Sequence, residues 1–299
     1  EPINTVRDYS VLFMVVNLQS FIFGLYFSRI SFASMSKINR KVVWITGASS
    51  GIGEALVYQF NKQGAYLILS ARRETELIRV KNTCGNQENI HLLPLDLGAA
   101  NQLEEKVATA LQIYGHVDLL INCGGISQRD NVINTSLEVD RAIMEVNYFG
   151  TIALSKFLLP SMVARKSGHH VVITSATGII STPLRSSYSA SKHALHGFYD
   201  SLRAEHVADN IMVSLICPGY IKTKISFNAL MGDGTKQNSM DKAQENGMTA
   251  ERCAVKIIAA IHKNRQEVYI GGWKEVSGIY LKRFFPSLFA KIVTKMPVT

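Results

Sequence analysis

A glycine-rich turn between an apolar run and a helical pattern limits the folds open to this chain. Residues 41–46 read K-V-V-W-I-T, as in a buried strand, and G-A-S-S-G-I-G leads into the helix-like E-A-L-V-Y-Q-F. Gly47, Gly51 and Gly53 permit positive φ and close backbone approach. The helix start offers free N–H groups and a positive dipole end to a pyrophosphate. The pattern predicts a nucleotide-binding strand–turn–helix unit, with a plain structural turn as the alternative.

Strand-like apolar runs recur along the chain, with helical patterns between them. They lie at 41–46, 65–70, 90–95, 117–121, 170–174, 211–217 and 267–270. Strands that alternate with helices predict an α/β fold, in which a parallel sheet has helices on both faces. The near-continuous Val, Ile and Leu of these runs is typical of strands that are buried on both faces. We therefore expect a doubly wound parallel sheet in a single domain.

Tyr188 and Lys192 stand four residues apart in Y-S-A-S-K, and Ser175 lies thirteen residues upstream. In a helix, residues four apart share a face. An ammonium beside a phenol favours the phenolate and draws the pKa of the phenol from about 10 toward neutrality. Such a phenol can act as general acid or base on an alcohol or carbonyl. Y-x-x-x-K alone is common in helices, so the prediction depends on its neighbours.

The second strand-like run ends in Ala71, Arg72 and Arg73. An acidic residue at this point would bind the ribose hydroxyls of NAD. Two arginines instead suit a 2′-phosphate, to which Ser49 in the glycine turn could add a hydroxyl. We predict NADP(H) as the cofactor; the alternative is a solvated basic helix start.

These motifs resemble, in order and spacing, those of the short-chain dehydrogenase/reductase family. T-G-A-S-S-G-I-G fits the family's cofactor loop, N-C-G-G corresponds to its N-N-A-G, and P-G-Y-I-K-T fits the segment beside the nicotinamide. The match covers about residues 40–270. It implies a Rossmann-like fold and a catalytic tetrad of Asn147, Ser175, Tyr188 and Lys192. The implied cofactor-binding residues are Gly47, Ser49, Ser50, Gly51, Ile52, Gly53, Arg72, Arg73, Asp96, Leu97, Asn122, Gly124, Tyr188, Lys192, Pro218, Gly219, Ile221 and Thr223.

The resemblance also implies roles for these residues. Tyr188 would exchange a proton with the substrate oxygen, Lys192 would lower the pKa of Tyr188 and hold the nicotinamide ribose, and Ser175 would orient the substrate oxygen. Asn147 would hold a water that links Lys192 to solvent, and Thr223 would bind the nicotinamide carboxamide. The carbonyl–alcohol interconversion is expected to run toward reduction if NADP(H) is used in a reducing cytosol.

Cys123 and Gly124 depart from the family's second Asn and its Ala, whereas Asn122, expected to tie the central strands together, is kept. We expect cofactor binding to survive, with some loss of local rigidity because glycine frees the unfolded chain. Within the family, L-L-P-S-M, L-R-A-E and P-G-Y-I look most like the membrane-associated dehydrogenase/reductase member 7 group. That group is similar to the type-1 11-beta-hydroxysteroid dehydrogenases.

The N-terminal residues 1–35 contain the apolar run 11–27, near the length of a membrane span. It is predicted to anchor the domain 36–275 to a membrane, as a single span or an in-plane helix; a signal peptide and a buried core helix are the alternatives. Basic residues follow it, so the positive-inside rule puts the catalytic domain in the cytosol. The endoplasmic reticulum is the expected membrane.

The C-terminal tail, residues 276–299, mixes aromatic side chains with Lys282, Arg283, Lys291 and Lys295. Such a segment can lie on an anionic bilayer, or pack on the domain or on a second subunit. The net charge of +9 fits membrane contact. No nucleic-acid recognition motif is present, so no nucleic-acid partner is expected. A homodimer stays an open alternative.

The four cysteines, Cys84, Cys123, Cys217 and Cys253, show no paired or metal-ligand spacing and are expected to be free thiols. No metal site is predicted. The adjacent His169 and His170 precede a strand-like run and are expected at the surface.

Residues 224–247 are expected to form a lid over the substrate, with an apolar first half and hinges at Gly232 and Gly234. An apolar lid suggests a lipophilic steroid, retinoid or lipid carbonyl. Two other functions stay open: a redox sensor or scaffold that binds the cofactor without catalysis, and an epimerase or dehydratase on the same fold. The complete tetrad argues against the first, and the glycine pattern argues against the second.

Overall fold

Seven parallel strands form one sheet in a computed structural model that describes residues 38–294. The predicted anchor, residues 1–35, lies outside the described residues. The strands of the sheet are β1 Val42–Thr46, β2 Tyr66–Ser70, β3 Ile90–Leu92, β4 Leu119–Asn122, β5 Gly168–Ile173, β6 Ile211–Pro218 and β9 Glu267–Ile270, and the short pair is β7 Ile221–Lys222 and β8 Met248–Thr249.

Helices connect these strands and cover both faces of the sheet. They are α1 Gly51–Lys62, α2 Glu74–Thr83, α3 Leu103–Tyr114, α4 Leu137–Met144, α5 Gly150–Ala164, α6 Ser186–Glu205, α7 Lys242–Glu245, α8 Ala250–His262, α9 Trp273–Phe284 and α10 Pro286–Val293. One apolar core, with Phe60 and Ile257, lies between the sheet and α1 and α8. The other, with Trp44 and Tyr199, lies beneath α3, α5 and α6.

The strand order is β3-β2-β1-β4-β5-β6-β9, and every neighbouring pair in it is parallel. The chain reverses its direction of winding between β1 and β4. In such sheets, ligands bind outside the carboxyl ends of the strands at this reversal. The predicted Rossmann-like doubly wound sheet is confirmed, and its geometry puts the glycine turn after β1 beside the loop after β4.

The expectation that His169 and His170 lie at the surface is wrong. Strand β5 begins at Gly168, two residues before the predicted run, and pairs with β4 and β6 on its two sides. Both imidazoles are therefore fully buried. Burial lowers the pKa of His169 to about 3 and that of His170 to about 4, because the charged ring loses its hydration.

A continuous helical run, residues 137–164, is long and apolar enough to cross a membrane by length and composition. It consists of α4, a π-helical segment Glu145–Phe149, and α5. Ile143, Leu154 and Leu158 on this run are fully buried. The packing of these residues in the core accounts for part of the apolar character of the run.

Two helices, α9 and α10, make up the described part of the predicted tail. Ile279 and Phe289 pack against Ala176 and Ile180, so these helices rest on the domain. Their opposite face exposes large side chains: Trp273, Tyr280, Phe284, Phe285, Leu288 and Ile292. The predicted end of the domain, residue 275, lies within helix α9. The predicted domain boundaries stay predictions.

Candidate active site

The glycine turn after β1 has the tight geometry that a phosphate cradle requires. Gly47 and Gly51 have φ of 66° and 57°, in the region that favours glycine. A Cβ on Gly53 would stand 2.1 Å from the carbonyl oxygen of Gly47, so the first turn of α1 lies directly on the loop. The backbone N–H groups at the start of α1 are thus available to an anion. This cradle fits a dinucleotide pyrophosphate.

Thr46, the last residue of β1, joins the glycine turn to the N-C-G-G loop. Its Oγ1 accepts hydrogen bonds of 3.1 Å from the backbone N–H groups of Cys123 and Gly124. A Cβ on Gly124 would stand 2.6 Å from Cδ1 of Leu97, so the side chain of Leu97 fills the space of the family's alanine. The departure from N-N-A-G is therefore compensated by close packing of Leu97.

Asn122 does not tie the central strands together through its side chain as expected. Its Nδ2 donates to Ser155 Oγ at 3.2 Å and to Tyr199 Oη at 3.0 Å, which lie on α5 and α6. Its side chain points to the helical face, and the neighbouring strand ends are joined by Thr46. Asn122 thus fixes two helices to β4, and one of them carries Tyr188.

Tyr188 and Lys192 lie one turn apart on α6, as predicted for a helix in this region. Lys192 Nζ lies 5.8 Å from the centroid of the Tyr188 ring and donates a 2.9 Å hydrogen bond to the carbonyl oxygen of Ile173. Lys192 is buried and has this carbonyl at the end of β5 as its anchor. The ammonium is therefore held beside the phenol at the carboxyl edge of the sheet.

Asn147 lies in the π-helical segment between α4 and α5, fully buried. Its Oδ1 accepts from the N–H of Ile126 at 2.8 Å, and its Nδ2 donates to the carbonyl of Ile126 at 2.9 Å. The same Nδ2 donates to Ser191 Oγ at 3.0 Å, and Ser191 donates to the carbonyl of Tyr188. Asn147 thus connects the loop after β4 to the helix of Tyr188, a structural task that the sequence did not indicate.

Ser175 follows β5 with an extended backbone, at the start of a 3₁₀ turn, Ala176–Gly178. Its Oγ accepts from the N–H and the hydroxyl of Thr177, at 3.1 and 3.0 Å, and lies 3.5 Å from the carbonyl of Pro218. Thr177 was missed by sequence reasoning, and its position two residues after the serine is the only signal for it. Thr177 thus donates to the Ser175 oxygen, and the Ser175 hydroxyl itself donates to the Pro218 carbonyl through a long hydrogen bond.

The segment after β6 faces the glycine turn. A Cβ on Gly51 would stand 3.0 Å from Cγ2 of Thr223, so these residues nearly touch. Gln244 donates to the carbonyl of Ile221 and lies 3.5 Å from Thr223 Oγ1. Pro218 and Gly219 lie between Ser175 and α9, where Glu275 packs on Gly219. The predicted segment therefore walls the space between the cradle and Ser175.

The predicted adenosine side carries exposed cations. Arg72 and Arg73 follow β2 with exposed side chains, and no carboxylate in the described part of the chain pairs with them. Asp96 Oδ1 accepts from the N–H of Gly98 at 2.9 Å. Sequence reasoning missed Arg79, which donates to the carbonyl of Ser49 at 3.2 Å and pairs with Glu54. Two arginines here are free to bind a phosphate, and a third holds the turn.

The predicted lid is attached to the domain rather than hinged at Gly232. A Cβ on Gly232 would stand 2.3 Å from the carbonyl oxygen of Asn134, and its own carbonyl accepts from Ser136 N–H at 2.9 Å. Leu230 pairs with Gln128 in a parallel β-bridge. Gly232 therefore serves close packing, while Gly234, with φ of 86°, makes the turn at the tip.

The four cysteines are free thiols, as expected. Burial raises the pKa of the half-buried Cys123 to about 12, so the thiol beside the cradle is neutral at physiological pH. No group of three or more His, Cys, Asp or Glu side chains suited to a metal ion occurs within residues 38–294.

Comparison with known proteins agrees with this geometry. The family model described as short chain dehydrogenase matches residues 41–231. A dehydrogenase/reductase SDR family protein 7-like of Anopheles gambiae is 45% identical over 86% of this chain and 83% of its own length. The human dehydrogenase/reductase SDR family member 7 is 44% identical over 85% and 77%, and member 7B of Xenopus laevis is 39% identical over 91% and 87%.

Solved structures share the fold. A short chain dehydrogenase/reductase from Burkholderia phymatum, solved in complex with NAD, superposes with a TM-score of 0.75 at 23% identity, over 85% of this chain and 96% of that one. A short-chain dehydrogenase from Streptomyces avermitilis gives a TM-score of 0.73 at 27% identity over the same shares.

Proposed function

Because this chain belongs to the short-chain dehydrogenase/reductase family, an oxidoreductase family, we propose that it is an NADP(H)-dependent enzyme that interconverts a lipophilic carbonyl and its alcohol. The observation that carries the proposal is the placement of Lys192 Nζ between the Tyr188 ring, 5.8 Å to the centroid, and the Ile173 carbonyl. A phenol with a fixed ammonium beside it is a pair suited to proton exchange with a carbonyl oxygen.

The residues of the cradle would hold the cofactor. Gly47, Gly51 and Gly53 shape the loop for the pyrophosphate, with Ser49, Ser50 and Ile52 between them. When bound, NADP(H) supplies or accepts the hydride. Lys192 would also contact the nicotinamide ribose, and Thr223 the carboxamide. The cofactor would also contact Asp96, Leu97, Gly124, Pro218, Gly219 and Ile221 and the backbone at Asn122.

Tyr188 would donate its phenolic proton to the carbonyl oxygen during reduction and remove it during oxidation. Lys192 favours the phenolate left behind. Ser175 would turn its hydroxyl from the Pro218 carbonyl, a 3.5 Å contact, to the same oxygen and stabilise the charge that develops there, with Thr177 still donating to Ser175 Oγ. Asn147 would bind a water that passes the proton from Lys192 to solvent, while its amide holds Ile126.

The preference for NADP(H) over NAD(H) follows from charge. Arg72 and Arg73 are exposed beside the cradle, and arginine binds phosphate well. We expect Arg72→Ala with Arg73→Ala to weaken NADPH binding at least tenfold and to leave NADH binding within twofold. Titration of both nucleotides by fluorescence measures this. Equal losses for the two nucleotides would contradict the proposed preference.

The substrate class follows from the lid. Its first half carries the apolar side chains Ile225, Phe227, Leu230 and Met231, and the Phe227 ring is exposed. Steroid, retinoid and lipid carbonyls fit such a surface. Reduction is the proposed physiological direction.

Association with a membrane is a further part of the proposal. The exposed aromatic and aliphatic face of α9 and α10, with Lys274, Arg283 and Lys291 near it, suits an anionic bilayer surface. With residues 11–27 as anchor, the proposal puts the enzyme on the endoplasmic reticulum with its catalytic domain in the cytosol. Deletion of residues 1–34 should release it from sedimented membranes. If it still sediments, α9 and α10 are sufficient for binding.

The deciding experiment replaces Tyr188 by Phe. NADPH oxidation is followed with cortisone, all-trans-retinal and a long-chain aldehyde. We expect kcat/KM to fall about 1,000-fold while the Kd for NADPH stays within threefold, because only the proton donor is lost. Tyr280→Phe, on the exposed face of α9, is the matched control and should keep full activity. Undiminished turnover by Tyr188→Phe would overturn the assigned role.

A further inference from the structure

A buried ion cluster lies at the base of the lid. Arg129 donates to Asp241 Oδ2 from Nε at 2.9 Å and from Nη2 at 2.8 Å. Arg185 Nη2 donates to the same oxygen at 3.0 Å. The side chains are 6%, 1% and 6% exposed for Arg129, Asp241 and Arg185. Two guanidinium groups thus share one carboxylate almost without water.

The three residues come from three separate parts of the site. Arg129 belongs to the loop after β4, Asp241 precedes α7 in the lid, and Arg185 precedes α6, one turn before Tyr188. The guanidinium of Arg185 also lies over the Tyr220 ring, 5.4 Å from its centroid. The cluster therefore joins the lid to the loop and to the helix that carries the reactive phenol.

Further hydrogen bonds fix each end of the cluster. Asp241 Oδ1 accepts from Gln237 Nε2 at 2.8 Å, and the N–H of Asp241 donates to Ser226 Oγ at 3.3 Å. Arg129 Nη1 donates to Ser127 Oγ and to the Gln128 carbonyl, both at 2.7 Å. The carboxylate is thus bonded within the lid, and the guanidinium within the loop.

Two backbone hydrogen bonds join the same two segments, the lid and the loop after β4. The N–H of Arg129 donates to the Leu230 carbonyl at 2.8 Å, and the N–H of Leu230 donates to the Ser127 carbonyl at 2.9 Å. These two bonds hold the lid's apolar part to the loop. Ser127 and Arg129 are themselves buried, so these backbone bonds and the buried charges hold the lid at the same place.

Tyr188 is close enough to interact electrostatically with Arg129 of the cluster. Burial and the nearby Arg185 lower the pKa of Arg129, whereas Asp241 and Tyr188 act in the opposite direction. Burial alone favours the neutral acid, but hydrogen bonds from Gln237 and Arg129 and the charge of Arg129 hold the pKa of Asp241 below its ordinary value. Asp241 is ionised at neutral pH, and its loss would leave two buried cations without their carboxylate.

We propose that Arg129, Asp241 and Arg185 form a charged latch that holds the lid over the substrate side of Tyr188, with Asp241 as a positioning residue for substrate binding. The inference rests on the proposed function for its kinetic consequences. Lys192 is anchored separately on Ile173, so the proton-transfer pair keeps its geometry when the lid loosens. The latch therefore governs KM more than kcat.

Asp241→Asn tests the latch, with Asp118→Asn as the matched control. Asp118 is also a buried carboxylate with three basic partners, Lys41, His116 and Arg165, but it lies at the amino end of β4. Hydrogen–deuterium exchange of the NADPH complex is measured first. Asp241→Asn should speed exchange of the amides of residues 226–240 and of residues 127–136, and leave residues 47–53 unchanged. Asp118→Asn should leave all three segments as in the parent protein.

Kinetics are then measured with whichever of cortisone, all-trans-retinal and the long-chain aldehyde the parent enzyme reduces. Asp241→Asn should raise KM about tenfold, with kcat within threefold and the Kd for NADPH within twofold. Arg129→Lys keeps the charge but loses the two-pronged contact, and should give a smaller change in the same direction. It serves as the second variant if Asp241→Asn does not fold.

The outcomes separate the latch from the proposed function. Unchanged exchange in the lid, or a loss of kcat at constant KM, overturns the latch. Faster exchange confined to the lid and loop supports the latch even when the parent enzyme reduces none of the three carbonyls. In that case the proposed function fails and the latch stands.

Discussion

The two edges of the sheet each contain a buried carboxylate with basic partners, but the surroundings differ. At the amino edge, Asp118 accepts from Val42 N–H at 2.9 Å and pairs with Lys41, His116 and Arg165, whose side chains are about one third exposed. At the carboxyl edge, Asp241 is enclosed between two buried arginines. The first cluster closes the end of a strand, and the second joins three loops.

This difference shows how one fold separates stability from function. Parallel strands end at both edges, but at the carboxyl edge the chain enters loops that must approach one another and leave room for a ligand. Glycine cradle, Ser175 and the charged latch all lie there. Substitutions at the amino edge should therefore change the free energy of unfolding, and those at the carboxyl edge should change binding.

The largest effect is expected from Gly53→Ala at the carboxyl edge. Its Cβ would stand 2.1 Å from the backbone carbonyl oxygen of Gly47, so the cradle must open. We expect the Kd for NADPH to rise at least about 100-fold, because displaced N–H groups no longer match the pyrophosphate. Fluorescence titration measures it. Gly197→Ala, with nothing within 4 Å of its new Cβ, is the control. A Gly53→Ala protein that binds NADPH normally would refute the cradle.

The next largest effect is the pH dependence of the free energy of unfolding that arises from His170, in the amino half of β5. His170 has no hydrogen-bond partner for either ring nitrogen in the described part of the chain, and its pKa is lowered to about 4. The unfolded chain binds this proton near pH 6.5, so stability is complete above that pH and falls as the pH drops toward 4. The loss for His170 is on the order of 3 kcal/mol.

Urea unfolding at pH 7.5 and pH 5 checks this expectation. His170→Phe replaces the ring by one that cannot be charged, and should make the free energy of unfolding less dependent on pH in this window. The Asp118 carboxylate stays ionised between these two pH values. Although burial opposes ionisation, the Val42 N–H and nearby cations keep its pKa below its ordinary value of 3.8. Equal pH dependence in both proteins would mean that His170 is already charged or exposed.

The sheet could be predicted from the sequence because its strands are apolar on both faces, and the cradle because its glycines are spaced for it. Residues 168–170 show where this reasoning ends. G-H-H carries polar side chains, and only the neighbouring strands and helices determine that they are buried. Hydropathy therefore could not indicate the start of β5.

The site shows the same limit. Tyr188 and Lys192 share a helix, so their spacing alone puts them together. Arg129 and Asp241 are 112 residues apart in the sequence, with Arg185 between them, and nothing in this spacing indicates that the three meet. The hydrogen bonds of Asn147 to Ile126 likewise depend on the tertiary arrangement of a π-helical segment. Local motifs predict reactive groups, whereas the contacts that position them require the folded chain.

Asp118→Asn should have an intermediate effect, confined to stability. The amide keeps an acceptor for Val42 N–H but loses the attraction of Lys41 and Arg165. Because these partners are partly exposed and solvated, we expect a loss of about 2 kcal/mol in the free energy of unfolding rather than the larger loss typical of a fully buried pair. Urea denaturation measures it. An accompanying change in the Kd for NADPH would contradict the separation of the two edges.

Gly124→Ala, which restores the family's residue at the carboxyl edge, should have the smallest effect. The new Cβ would stand 2.6 Å from Cδ1 of Leu97, the end of a flexible side chain, and 3.4 Å from Thr46 Oγ1, an ordinary contact. Rotation of Leu97 removes the clash at a modest cost, while alanine restricts the unfolded chain. These opposing terms leave the free energy of unfolding within about 1 kcal/mol of the parent value, and the Kd for NADPH within twofold. If Gly124→Ala raised the Kd for NADPH as much as Gly53→Ala, the packing of Leu97 on Gly124 would be part of the cradle itself. The position of a glycine at the carboxyl edge would then matter more than whether its new Cβ meets rigid backbone or a flexible side chain.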